Sequence, residues 1–207
     1  CWFALESSWP LNGGLEVDFP NGQHNRVHWP EILQMKHLVS AMLVVVAIVG
    51  ILAATGIPSF NEWIQNTQIR TAAESIASGL QSARAEAIRR STPIEFTLTG
   101  NGGTGETGWQ IVERNTGTNL QSAPAGEGSR NATLATTPGD ARTVTFSSLG
   151  RVLDGNADAT PVLTQINIDN PSLDASVSRD LRIAISVGGS IRMCDPAVYT
   201  TGDPRKC

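Results

Sequence analysis

The sequence predicts an α+β fold: a long N-terminal helix, membrane-embedded at first and amphipathic after, packed on an antiparallel β-sheet domain. Three observations predict it. The run Leu38 to Ile57, LVSAMLVVVAIVGILAATGI, is 20 residues without one charge. Beyond it Ile69, Ala73, Ile76, Leu80, Ala83 and Ala87 recur at alternating spacings of four and three, the signature of one helix face. After Pro93, short alternating or apolar runs are separated by turn residues with no helical pattern between them.

Composition agrees with this division. A chain of 207 residues, 40% hydrophobic, has ample material for a core, which excludes a disordered polymer. Only 16% of residues are charged, beside 20 Gly and 11 Pro, so turns are many and solvated helical faces few. A net charge of −4 excludes coating nucleic acid by bulk attraction and leaves only a local basic patch for such contact.

Residues 1–34 carry three of the five Trp and show neither helical nor alternating periodicity. Two readings stand: translation upstream of a start at Met35 and Lys36, or a genuine cytoplasmic tail. Residues 35–58 form the membrane anchor. At about 1.5 Å per residue the uncharged run reaches ~30 Å, the thickness of the hydrocarbon layer. A cleaved secretory signal, the rival, has a shorter apolar stretch and a small-residue site, where Pro58 and Phe60 stand instead. Lys36 is the charge near its start and favours a cytoplasmic N-terminus.

Residues 59–91 continue the helix. Gln68, Arg70, Glu74, Gln81, Arg84, Glu86 and Arg89 occupy the faces left by the apolar stripe, and Pro93 closes the element. Joined through Pro58 without a linker, the two parts read as one rod of roughly 50 residues with a kink at the proline. Residues 92–207 form the β domain. Its strands are PIEFTL, WQIVE, RTVTFSS, INID, LRIAIS and SIRM, in a sheet with one face on the helix and the other wet. TGNGGTGETG is a connection between two strands, and GTNLQSAPAGEGSRNATLATTPGDA a long mobile polar loop.

Read together, VVVAIVGILAATGIPSFNEWIQNTQIRTAAESIASGLQSARAEAIRR is similar to the N-terminal helix of type IV pilins and pseudopilins. FSSLGRV at 146–152 and GGSIRMCDP at 188–196 resemble paired strand ends of the GspH/FimT family, minor pilin-like proteins of type IV pili and type II secretion. The resemblance covers about residues 38–207. It implies a subunit anchored in the bacterial inner membrane, its β domain periplasmic, that enters a filament with other pilin-like subunits. Family members are cut after a Gly that precedes a Phe and carry Glu at the fifth mature position. Those places fall here on Lys36, His37 and Ala41, none of which matches.

Cys194 and Cys207 enclose a 14-residue C-terminal loop, and a disulfide between them fits an exported domain. A zinc pair is the rival, but no His follows residue 37 and two thiolates are too few ligands. Cys1 is left over. Some FimT-branch members are associated with DNA uptake through Gly-Arg-x-Arg before the first tail cysteine; here Gly189, Ser190, Ile191, Arg192 keep one arginine of the two. The motif carries over to Arg192 alone; from Arg179 onward five basic residues stand against three acidic ones, and this weak patch adds Arg182, Arg205 and Lys206 to Arg192 as candidate DNA contacts, loose and salt-sensitive.

Other matches fail on context. Gly103, Gly105 and Gly108 have dinucleotide-fingerprint spacing but precede a strand, not a helix. Asp154, Asn156 and Asp158 sit at the first ligand positions of a calcium loop, yet Ala159 replaces its turn Gly and Gln165 its bidentate acid, leaving a solvated turn. The acceptor pattern at Asn131 is discounted for a bacterial protein. The exported part has no His, so no catalytic, cofactor or metal site is assigned and an enzyme is not expected. Two function classes follow: an assembly subunit of a filament, or a DNA-binding module.

Overall fold

The structure is a computed structural model that describes the backbone of residues 15–18, 24–27, 29–100 and 102–207, with side chains from 38–54, 59–100 and 102–207. Lys36, His37, Cys1 and Pro58 lie outside the described side chains. The chain divides into two units, Cys1–Ile57 and Pro58–Cys207. One helix, α1 (Trp29–Arg90), contributes to both.

In the first unit β1 (Leu15–Asp18) pairs antiparallel with β2 (His24–Val27), Leu15 opposite Val27 and Asp18 opposite His24. This corrects the reading of residues 1–34 as patternless. Strands of four residues allow at most two alternations, too few for periodicity to register. The helix also begins at Trp29, six residues before the expected start at Met35, with Pro30 in its first turn where a missing N–H costs nothing. The uncharged run is exposed along its described length.

In the second unit α1 runs on to Arg90. Ser91 then takes φ of 53° and donates its N–H to the Ile88 carbonyl at 3.3 Å, ending the helix before Pro93. Arg89 and Arg90 occupy the last turn, where cations complement the free carbonyls. Both bond Glu86, at 2.6 Å and 2.8 Å.

Two four-stranded antiparallel sheets follow, where the sequence suggested one. The first has the order β5-β4-β3-β7, from β3 (Ile94–Leu98), β4 (Trp109–Glu113), β5 (Asn119–Ala123) and β7 (Thr143–Phe146). The second has the order β10-β9-β8-β6, from β6 (Thr133–Thr137), β8 (Gln165–Asp169), β9 (Leu181–Ile185) and β10 (Ile191–Cys194). The expected long mobile loop at 117–141 is corrected too, for it holds β5 and β6. Both are edge strands, and their sequences, NLQSA and TLATT, lack alternation because an edge strand buries little.

One core joins the helix face to both sheets. Ile94, Phe96 and Ile111 of the first sheet and Ile166, Ile168 and Ile183 of the second are fully buried with Ile76 and Leu80. The two sheets meet where Val162 bridges Thr143 and Leu163 donates its N–H to the Thr143 carbonyl at 2.9 Å. That segment also covers β7, which explains why an edge strand is buried at every position.

Candidate functional site

The surface of α1 that meets the sheets is built from small and branched residues. Ile69, Ala73, Ile76, Leu80, Ala83 and Ala87 are all 0% exposed. Between them Gly79 forms a notch: a Cβ there would lie 2.8 Å from Trp109 Cε2 and 2.9 Å from Phe96 Cε2. The two rings stack with centroids 5.7 Å apart, and Trp109 donates its indole N–H to Ser75 Oγ at 3.0 Å. Gly79, Ser75 and Trp109 escape a reading by periodicity because none of them is a large apolar residue on the helix stripe.

Polar residues of α1 also hold loops. The Asn66 amide donates to the Val177 carbonyl at 3.0 Å and its Oδ1 accepts the Arg179 N–H at 2.8 Å. Gln68 Oε1 accepts the Asn131 N–H at 2.9 Å, and Gln65 accepts from the buried Asn170 amide at 3.0 Å. The sequence places Gln68 on a solvated face; its role appears only once the loops are folded over it.

The two motifs FSSLGRV and GGSIRMCDP come together in space. Val152 donates its N–H to the Val187 carbonyl at 3.0 Å, and Arg84 Nε reaches from α1 to the Gly150 carbonyl at 3.0 Å. Gly189, at φ of 81°, passes so close that a Cβ would run into that same carbonyl. Glycine is needed at 189 for both reasons, conformation and space. The β9–β10 connection is a three-residue hairpin loop with its left-handed residue last, which Gly189 supplies. Arg84, assigned by spacing to a polar face, is the tie between helix and junction.

At the C-terminus Cys194 and Cys207 form a disulfide with Cα atoms 5.1 Å apart. Asp195 donates its N–H to the Arg205 carbonyl at 2.7 Å, so the tail pairs with the residue that follows β10. The four candidate DNA contacts are engaged within the chain. Arg192 Nη2 donates to the Lys206 and Pro204 carbonyls at 2.6 Å and 3.2 Å. Arg182 donates to Asn167 Oδ1 at 2.8 Å, Arg205 to Asp203 at 2.9 Å, and Lys206 to the Tyr199 carbonyl at 3.3 Å. Acidic groups share this region. Partial burial pushes the Asp180 carboxyl up from its ordinary value, with Asp169 and Asp195 adding repulsion against Ser178's opposing hydrogen bond.

The motif at 154–158 is an exposed turn at Asp154 and Asp158, as expected, but Asn156 within it is not solvated. Asn156 is buried, its amide within 3.0 Å of the Thr143 carbonyl and 3.2 Å of the Thr160 and Pro161 carbonyls, while Thr145 donates to its Oδ1 at 3.0 Å. It clamps the connection between β7 and β8. Asp158 instead accepts from Thr160 Oγ1 at 2.7 Å. Among the described residues no three His, Cys, Asp or Glu side chains could hold a metal ion. The Gly-rich connection joins β3 to β4 and docks by Gly105, whose N–H donates to the Ala132 carbonyl at 2.8 Å.

Comparison with known proteins places this arrangement. Two crystal structures of the type IV minor pilin FimU of Pseudomonas aeruginosa are similar at 17% identity. The first has a TM-score of 0.47 over 64% of this chain and 95% of that one, the second 0.45 over 63% and 99%. No curated protein matches the sequence. The family model described as type II transport protein GspH matches residues 72–195, from the buried helix face through both glycine motifs to the first tail cysteine. Covering more than half of the sequence, that match shows that the chain belongs to the GspH family of minor pilins and pseudopilins.

Proposed function

We propose that the chain is a structural assembly subunit of a type IV pilus. Residues 35–58 anchor it in the bacterial inner membrane, residues 59–91 carry the helix onward, and residues 92–207 form a periplasmic β domain. The observation that carries this reading is the division of labour within α1. Its described uncharged run keeps Leu43, Val46 and Leu52 at 65% exposure or more, whereas Ile76 and Leu80 are fully buried. Apolar surface left bare over that length is untenable in water and fits lipid or the helices of neighbouring subunits. The Cys194–Cys207 disulfide favours an oxidising compartment for the other end.

The pilus is preferred to the secretion filament because of the disulfide-tied tail. The DNA-binding module draws no support from the four candidate cations, each of which bonds its own chain. A deletion strain tests the assignment. Loss of surface pili with normal release of secreted enzymes, restored by the parent gene, supports the pilus; loss of secretion with normal piliation assigns the secretion system.

A further inference from the structure

Strand β10 is an edge of its sheet, and the phase of its hydrogen bonds identifies which backbone groups are free. Ser186 donates its N–H to the Ser190 carbonyl at 3.0 Å, and the register sets Arg192 opposite Ala184 and Cys194 opposite Arg182. In an antiparallel ladder alternate residues bond the partner strand. The even-numbered residues of β10 therefore face β9, while Ile191, Met193 and Asp195 turn their N–H and C=O groups outward. Asp195 has its N–H taken by the Arg205 carbonyl of the disulfide-tied tail. For Ile191 and Met193 the outward groups have no partner among the described residues.

Such an edge is normally blunted by charge, proline or a covering element. Here the tail stops at Asp195, and a groove of about 410 Å³ opens between β10 and α1. Leu181, Met193 and Pro204 give it apolar lining, and Arg70, Arg179 and the carboxylates of Glu74 and Asp195 line it as well. Arg70 is committed to Glu74 at 2.7 Å. Arg179 is exposed and has no ion-pair partner among the described residues, although its backbone is fixed by Asn66.

We propose that the open edge of β10 is a docking site for an extended polypeptide segment that adds as a strand along Ile191 and Met193. The segment sends an apolar side chain into the groove and sets a carboxylate against Arg179. Backbone pairing gives such a site affinity, and alternate side chains give it specificity. The occupant is an acidic strand segment of a partner chain; the edge strands β5, β6, β7 and β10 of the Pro58–Cys207 unit contain no Asp or Glu, so a second copy does not supply it from those edges. That its source is a neighbouring filament subunit rests on the assembly reading above; the site itself does not.

The test uses the full chain in detergent micelles and a fluorescein-labelled hexapeptide, Thr-Val-Glu-Val-Thr-Val, with a glutamine version as control. The glutamate peptide is expected to bind and to slow hydrogen exchange at the Ile191 and Met193 amides. Arg179→Ala should lower its affinity to that of the glutamine peptide. Met193→Pro removes an outward N–H without touching the bonds to β9 and should weaken binding roughly tenfold or more. Should that variant fail to fold, the exchange pattern of the parent and the Arg179→Ala titration still decide. No binding at about 1 mM peptide, binding unmoved by Arg179→Ala, protection confined to other strands, or self-association in place of peptide binding would each overturn the proposal. Failure here with normal filament incorporation in cells removes the docking site and leaves the assembly reading standing.

Discussion

Gly79 shows how much of this interface is decided by a missing side chain. Alanine in a helix is favoured over glycine by about 1 kcal/mol, so an exposed Gly79→Ala change would stabilise. Here the new Cβ would lie within 2.8–2.9 Å of the Trp109 and Phe96 rings, and forcing rings aside in a packed core costs about 1–3 kcal/mol. The second effect wins. A net loss of about 1 kcal/mol is expected in a denaturant titration, and a raised midpoint would refute the notch. At Asp180 the deciding quantity is charge. Burial, with repulsion from Asp169 and Asp195, raises its pKa in the folded state, so the native protein holds a proton there more tightly than the unfolded chain. Stability is then lost as pH rises from the ordinary aspartate range through the raised value. Asp180→Asn keeps an acceptor for Ser178, which bonds the carboxylate at 2.6 Å, while removing the charge. It should melt higher than the parent at pH 7, and the difference should fade below about pH 4. An equal gain at both pH values would rule out titration as the cause.

At the level of elements, Leu80→Asp tests the seam between α1 and the sheets. Leu80 is 0% exposed among apolar neighbours, so the substitution buries an unpaired carboxylate at a cost of about 3 kcal/mol or more. A circular dichroism melt indistinguishable from the parent would contradict the packing. This face was legible in the sequence because six residues at helical spacing point one way and must be covered. Strands with an apolar alternation, such as Ile94, Phe96 and Leu98, were legible for the same reason. Strands β5 and β6 were not. Their stability comes from pairing with β4 and β8, a long-range property that NLQSA and TLATT do not carry locally. Sequence spacing likewise set Arg84 and Gln68 on polar faces, where solvent was the default partner. Their actual partners, the Gly150 carbonyl and the Asn131 N–H, lie more than 60 residues away. The cysteine pair was legible from composition. Its effect on Arg192 was not, since only the folded tail brings the Pro204 and Lys206 carbonyls to that guanidinium.

For the whole molecule the decisive quantity is the free energy of seating Leu38–Ile57 in lipid. The run contains 11 Leu, Ile and Val residues and no charge. At about −0.3 to −0.6 kcal/mol for each of these residues near a helix centre, insertion is favoured by roughly 3–7 kcal/mol. One arginine at the centre opposes this by about 2.5–3.5 kcal/mol and two by about 5–7 kcal/mol. The arithmetic predicts a graded response. Carbonate washing of bacterial envelopes should leave the parent chain in the pellet and most of a Val46→Arg variant with it. Val46→Arg combined with Val49→Arg should release the chain to the supernatant, because the two penalties cancel the apolar gain. The β domain supplies the control, since neither substitution touches the core around Ile76 and Leu80. The released double variant should therefore keep the disulfide-linked, protease-resistant domain of the parent. Retention of the double variant in the pellet would mean that the membrane is held by something other than this run, and release of the parent that it is not held at all.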